Sequence, residues 1–388
     1  MSIKNVVSNS VVAYLLYATN FVFLTHKIFY IMPLYMMALG LTYVKNKTVL
    51  NFRPVTIGIS MALLLLLLWH AREDNLLSIV FTFVKAFSFL VVISLSKDII
   101  TESINKYIKV FIVISVISLV AWCLYLLGID IVNLGSITLL EKYKLSNHLL
   151  FVCDDNGRFQ SLYIEPGYYG LLCITLMCLN RFRKDKTSLI LLLCIAFSLS
   201  LASFLILAFI LVFNALLIKQ NLKAMIFPVL LIGSVYWYGM NYNNGDNIIY
   251  NKIIWRLSLN DDGELTFYNR TTKSFEYYFE STFLKSDDLI TGIGSESYVR
   301  RKFENSVDYK AYFVLDGIIG IILLSLFYYL PYRMSKKRRS ITVIVLYTII
   351  FARGFVFSLV LGNLLLYYLN CFITKNEEEK NLICSQPK

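Results

Sequence analysis

Arg158 and Glu165 stand seven residues apart at the entrance to a long apolar run, in the stretch Gly157-Arg-Phe-Gln-Ser-Leu-Tyr-Ile-Glu-Pro-Gly-Tyr-Tyr-Gly170. A guanidinium is a planar, permanently charged fork that matches phosphate oxygens two at a time. A carboxylate within hydrogen-bond reach of a hydroxyl can take its proton. Side by side, the two could hold an anionic group and activate a nucleophile next to it. Tyr163, Tyr168 and Tyr169, with Gly167 and Gly170 between and beside them, are expected to wall a notch where sugar rings stack. The same residues also have a plainer reading. Arg158 would anchor at lipid headgroups and Glu165-Pro166 would simply start a helix, because acids favour helix N-termini and proline suits the first turn.

A second group of residues follows later: Asn269-Arg270, Gly292-Ile-Gly294, Arg300 and Arg301, then Asp316-Gly317-Ile-Ile-Gly320 at the head of an apolar segment. Arg256 lies upstream in the same region, and Arg353 falls in a short turn between two apolar runs. Each is a candidate ligand for phosphate oxygens, with interfacial anchoring as the alternative for Arg353. Lys85 is different, since it sits near the middle of an apolar run, about 15 Å from either end at the helical rise. Its burial would cost roughly 2.5 to 3.5 kcal/mol without a cavity or partner. It is read either as facing a lipid-phosphate groove or as bonded to carbonyls inside the protein. The acidic pairs Asp154-Asp155, Asp261-Asp262 and Asp287-Asp288 lack a third ligand at fixed spacing and read as turn residues. No metal site, cofactor or disulfide framework is expected, because most of the seven cysteines lie within apolar runs.

The elements that must position these groups are membrane helices. The chain has 388 residues, 57% hydrophobic and 16% charged, and a mean hydropathy of +0.64, which excludes an ordinary soluble globule. The expected fold class is an all-α polytopic membrane protein forming a single integral membrane domain over residues 1–388. About twelve transmembrane helices are read, at 6–25, 28–44, 54–70, 76–96, 107–127, 161–180, 187–200, 202–218, 224–240, 311–331, 340–352 and 354–373. Lysine and arginine collect in every second loop, as at Lys45, Lys47 and Arg53, at Arg181, Arg183, Lys184 and Lys186, and at Arg333, Lys336, Lys337, Arg338 and Arg339. That side is read as cytoplasmic, with both termini and the tail 374–388. The start of the chain shows no small-residue cleavage pattern, so the first helix is expected to remain as an anchor.

Two loops are then long and face outward: 128–160, and 241–310 between the ninth and tenth helices. The larger is expected to carry short amphipathic helices lying on the membrane surface, because Phe267, Phe275, Tyr278, Phe279 and Phe283 recur near helical spacing. It holds nine Lys or Arg against eleven Asp or Glu. The net charge of +12 therefore belongs to the cytoplasmic loops and not to a basic binding face, which argues against nucleic acid. No phosphate-loop motif is present and the cytoplasmic loops are short, so any chemistry is placed on the outer face.

An Arg about twenty residues before a Gly-x-Gly turn, followed by Gly-x-x-Gly at the top of a helix, resembles the large outer loop of the O-antigen polymerase and ligase superfamily. The Arg158 to Glu165-Pro166 stretch is similar to the Arg and Glu-Pro segment of many of its polymerases. Members resembling the ligases tend to carry a His-Asn pair before the Gly-x-x-Gly helix. This chain reads Asn305-Ser-Val-Asp-Tyr309 there and has no histidine after His148, which favours the polymerase family. The resemblance implies a bacterial cytoplasmic (inner) membrane protein with its active site on the periplasmic face. It implies a glycan donor on undecaprenyl diphosphate, membrane lipids around it, and a flippase and chain-length regulator as further partners.

On that basis Glu165 is read as the base, with Arg158 and Arg270 holding the donor diphosphate, helped by Arg256 or Arg300 and Arg301. Diphosphate is a good leaving group, so the expected reaction needs no metal and inverts the anomeric centre. An O-antigen ligase, a lipid-linked oligosaccharide flippase or transporter, and a purely structural membrane protein are the competing readings.

Overall fold

A computed structural model describes residues 3–19, 21, 31–72, 76–139, 143–154, 157–163, 165–180, 185–218, 233–234, 236–247, 249–255, 271–303 and 309–334. In chain order the main elements are α1 (Ile3–Ala18), α2 (Ile31–Tyr43), α3 (Pro54–His70), α4 (Leu76–Ile93), α5 (Lys97–Leu126), β1 (Asn133–Leu139), β2 (Tyr143–His148), β3 (Val152–Asp154), α6 (Pro166–Leu179), α7 (Lys186–Phe197), α8 (Leu201–Ile218), α9 (Lys273–Ser281), α10 (Asp288–Thr291), α11 (Gly294–Arg300) and α12 (Tyr309–Met334). One 3-10 turn (Tyr242–Gly245) and one π turn (Tyr250–Ile254) lie between α8 and α9.

Helices occupy the first eight expected apolar runs and the tenth. Most of the ninth run, the last two and the tail lie outside the described residues. Among the described residues, three helices are long and apolar enough to cross a membrane: Leu76–Ile93, Lys97–Leu126 and Lys310–Phe327. The shorter apolar helices Ile31–Tyr43, Pro54–His70, Pro166–Met177 and Lys186–Phe197 rise about 1.5 Å per residue. They therefore fall short of the roughly 30 Å of hydrocarbon on their own.

Local sequence explains several boundaries. α3 starts at Pro54, where the missing N–H costs nothing, and Thr56 Oγ1 accepts from Arg53 N at 3.0 Å. α7 is capped by Asp185, whose Oδ1 accepts from Ser188 N at 2.8 Å. α5 begins ten residues before the expected run. Ile99, Ile100 and Ile104 are buried there, while Lys106 pairs with Glu102 at 2.6 Å. This first stretch is thus an amphipathic extension of the helix and not a loop. The connection between the expected runs 187–200 and 202–218 is tight and falls at Ser198 to Ser200, with Leu199 at φ 44°.

Two expectations need correction. The chain is not all-α, because β1, β2 and β3 form a three-stranded antiparallel sheet in order β1-β2-β3. Ile137 pairs with Leu145 and Asn147 with Val152, and Leu145 and Val152 bury against Leu162. Branched residues that fill a half-buried pleat outweigh the polar character of the loop. Nor do the aromatics of the larger loop lie on a membrane surface. Phe275, Tyr278 and Phe283 pack with Ile293, Tyr298, Phe303, Ala311 and Val314 into a core of their own; Phe267 lies outside the described residues. A ring buried against protein leaves water as effectively as one laid on lipid, and aromatic periodicity alone does not tell the two apart.

Contacts divide the chain into two compact units. The first comprises Met1–Ala18, Lys27–Lys106 and Asn269–Lys388, and the second Thr19–His26 and Tyr107–Tyr268. In the first, Gly40 of α2 lies against Val91 and Phe87 of α4, where a side chain would prevent the approach. α3 packs on α4 and α12, and α10 and α11 pack on α12. In the second, α6 packs on α7 and α8, and Ser118 Oγ of α5 donates to Leu150 O at 2.7 Å beside the sheet.

Candidate functional site

The first unit contains a polar junction built around a break in a helix. Within α12, Gly317 takes φ 64° and ψ −169°, a region that only glycine occupies without strain. The break releases carbonyls from the helical ladder, and buried carbonyls need partners. The end of α3 and the turn before it in space supply them. Trp69 Nε1 donates to Asp316 O at 2.8 Å, and Arg72 Nη2 donates to Leu315 O at 3.1 Å. Ile293 N donates to Val314 O at 2.8 Å. Arg72 also donates to Thr291 O at 2.8 Å and to Trp69 O at 2.9 Å, and its guanidinium lies 4.9 Å from the Trp69 ring centroid. One guanidinium thereby ties α3, the 290–294 turn and α12 together.

The carboxylate of Asp316 is turned into this junction, its side chain 4% exposed. His70 Nδ1 lies 3.2 Å from Oδ1 and 3.1 Å from Oδ2, and Arg72 Nη1 lies 3.6 Å from Oδ1. Gly320, one turn on, leaves the room that the Asp316 side chain fills, since a Cβ there would overlap it. His70 and Arg72 are 31% and 22% exposed, so the group opens outward through the histidine. Chemically it is an imidazole held by a buried carboxylate that also faces a guanidinium.

The residues singled out from sequence are distributed as follows. Arg158, Glu165 and the three tyrosines lie in the second unit. Arg158 is buried and Glu165 is half-buried at the start of α6, where its carbonyl accepts from Tyr169 N at 2.9 Å. Tyr163 and Tyr169 stack at 5.4 Å, Phe111 packs on both, and Tyr169 Oη donates to Ser115 Oγ at 2.8 Å. Tyr163, Tyr168 and Tyr169 are all buried. The expected sugar-stacking notch is therefore closed here: large rings following a buried segment pack on one another, and the wall they make is internal.

Arg300, Arg301 and Lys85 lie in the first unit. Arg300 is exposed and pairs with Glu296 at 3.1 Å, while Arg301 lies over the Tyr278 ring at 4.5 Å. Burial pushes the Tyr278 phenol above its ordinary range, Arg301 pulls it down, and Asp288 raises it. Lys85 is half-buried in the middle of α4. Arg256, Arg270 and Arg353 lie outside the described residues.

The sequence reading missed Trp69, His70 and Arg72. At the end of an apolar helix, a Trp-His-Ala-Arg run reads as ordinary interfacial anchoring. The available signal was Asp316 itself. An acid inside the run Val314-Leu-Asp-Gly-Ile-Ile319 demands a partner, and a cation at another helix end is the natural one. The chain lacks a histidine near the Gly-x-x-Gly helix in sequence; α3 brings one there in space. Among the described residues no cluster of three or more potential metal ligands occurs. Comparison of the chain with protein families, curated proteins and solved structures finds no match.

Proposed function

We propose that this chain is a polysaccharide polymerase of the bacterial cytoplasmic membrane. It transfers a growing glycan from undecaprenyl diphosphate to a hydroxyl of a new lipid-linked repeat unit, on the outer face, with inversion at the anomeric carbon. On sequence grounds Arg158, Arg270 and the Arg300-Arg301 pair are the candidates to neutralise the diphosphate, each charge-assisted hydrogen bond contributing about 1.5 to 3 kcal/mol. On sequence grounds the proton acceptor is Glu165.

One observation carries this reading. The two glycine motifs on which the resemblance rests, Gly292-Ile-Gly294 and Gly317-Ile-Ile-Gly320, pack backbone to backbone, and a Cβ on Gly292 would overlap Leu315 O while one on Gly317 would overlap Ile290 O. The motif is one structural unit that breaks α12 within its Lys310–Phe327 segment of membrane-crossing length, and chemistry on a lipid-linked diphosphate needs a site fixed to a membrane helix.

The test is polymerisation by the purified full-length protein. Lipid-linked glycan extracted from the source strain lacking this gene should be lengthened into ladders, with chelator present or absent. Arg270→Ala and Glu165→Gln are expected to abolish ladders in the deletion strain. Full-length ladders from Arg270→Ala, or no lengthening by the wild type, would refute the reading.

A further inference from the structure

We infer that the basic turn joining α2 to α3 is a docking platform for the headgroups of anionic phospholipids, in the leaflet that meets this end of the first unit. The inference needs only that the chain lies in a membrane, so it stands apart from the polymerase reading. This end is opposite the Asp316 junction, since α3 runs from the one to the other.

The turn carries Lys45, Lys47 and Arg53 with no acid between them. All three are exposed, and none enters an ion pair among the described residues. Cations in such a group suit the phosphate oxygens of a negatively charged headgroup.

Charge alone would be the ordinary topological signal of a membrane protein. That signal is read from the sequence during insertion and asks nothing of the folded turn. Here the turn is built. Asn46 Oδ1 accepts from Thr48 N at 3.1 Å and from Thr48 Oγ1 at 2.6 Å, and Asn46 O accepts from Val49 N and Leu50 N, both at 3.0 Å. The turn is then laid against the connection from α4 to α5. Asn51 N donates to Ser94 O at 2.7 Å, Ser96 N donates to Val49 O at 2.8 Å, and Leu50 pairs with Leu95 in an antiparallel bridge. Val49, Leu50 and Leu95 are buried. Two connections are thus joined into one ribbon with its apolar side inward, and the cations stand on the side that remains. Holding them there removes much of the ordering entropy that a loose loop would lose on binding.

A phospholipid also needs a wall for its acyl chains. Leu41 and Val44 beside the turn, and Ile57 and Met61 early in α3, are exposed apolar residues. Tyr43 and Phe52 are half-buried there, rings of the kind that settle at a membrane interface. α2 and α3 both pack on α4, so wall and cations belong to one unit. The combination fits a lipid and not free phosphate, which makes no use of the wall.

The experiment titrates purified full-length protein in neutral detergent micelles with phosphatidylglycerol, phosphatidylcholine or inorganic phosphate, reading Tm and the lipid retained in native mass spectrometry. Phosphatidylglycerol should raise Tm and stay bound, and the other two should do neither. Each lysine or arginine near an anionic surface contributes roughly fivefold in affinity. Lys45→Gln, Lys47→Gln and Arg53→Gln combined should therefore weaken phosphatidylglycerol binding about 100-fold, with Tm in neutral micelles unchanged. Lys273→Gln with Lys285→Gln, at two exposed lysines of the larger loop, is the charge control and should bind as the wild type does. The platform is overturned if the wild type shows no preference for phosphatidylglycerol in either readout, if the triple variant binds it within about threefold of wild type, or if the control weakens binding as much as the triple variant. Inorganic phosphate that stabilises as well as the lipid would reveal an anion site only, and overturns the lipid assignment. If the triple variant fails to fold, the three single variants decide: each should be roughly fivefold weaker, and no weakening in any of them overturns the platform.

Discussion

Arg72→Met tests the joint itself, and its cost can be worked from the contacts. The guanidinium serves the carbonyls of Trp69, Thr291 and Leu315 and faces Asp316. Thr291 is exposed, so its carbonyl turns to water at little cost. Leu315 O belongs to the broken helix, and leaving it unpaired costs about 1 to 3 kcal/mol. Asp316 also loses a charge 3.6 Å away; with Arg72 partly exposed and His70 still present, that adds about 1 to 2 kcal/mol. The total is about 3 kcal/mol, equivalent to a roughly 100-fold rise in the open population of the 285–303 segment. Limited proteolysis of the detergent-solubilised protein reads that population directly when closing is fast. Cleavage within 285–303 should accelerate by about that factor. Arg72→Lys should fall between, because an ammonium keeps the charge but not the fork. An Arg72→Met protein cleaved at the wild-type rate would show that the guanidinium does not hold the segment.

Three further outcomes follow from the same unit. Phe275→Ala removes a fully buried ring from the loop core and should cost about 3 to 5 kcal/mol; an unchanged Tm would contradict that core. Arg301→Met removes the charge that pulls the Tyr278 phenol down, so Tyr278 should ionise at still higher pH, read as the ultraviolet difference titration against Tyr278→Phe; a shift to lower pH would be the opposite of the expected sign. Glu276→Gln breaks the 2.5 Å pair between the loop helix and Lys310, 11% exposed, at the start of α12. It should lower Tm while Glu280→Gln, which makes no ion pair among the described residues, should change it little.

The helices were legible because long apolar runs admit few other structures, and the run from Leu76 to Ile93 or the one around Lys310 to Phe327 needs no partner to be recognised. The sheet was not, since β3 is only three residues long and its pattern is too short to be told from a loop. Helical spacing in Phe275, Tyr278 and Phe279 identified α9, but periodicity does not say whether a face meets lipid or protein. The pairing of His70 with Asp316 joins residues 246 positions apart. Composition near either residue carries no information about the other beyond the need of a buried acid for a partner. Arg158 and Glu165 were visible as types and spacing, whereas the closing of the tyrosines over one another depends on how Phe111 and Ser115 of α5 arrive from elsewhere in the chain.

The crossing of Gly292 and Gly317 has a consequence for how this protein can change. At each position the atoms that an added Cβ would meet are main-chain atoms: Leu315 O and Asp316 N for one, Ile290 O and Gly292 N for the other. Every amino acid carries those atoms, so no second-site side-chain substitution can relieve the overlap. A lineage that lost either glycine could not regain the fit by compensation elsewhere in the contact; it could only revert or rebuild both chain paths. Over evolutionary time the two positions behave as one indivisible character, inherited whole or abandoned whole.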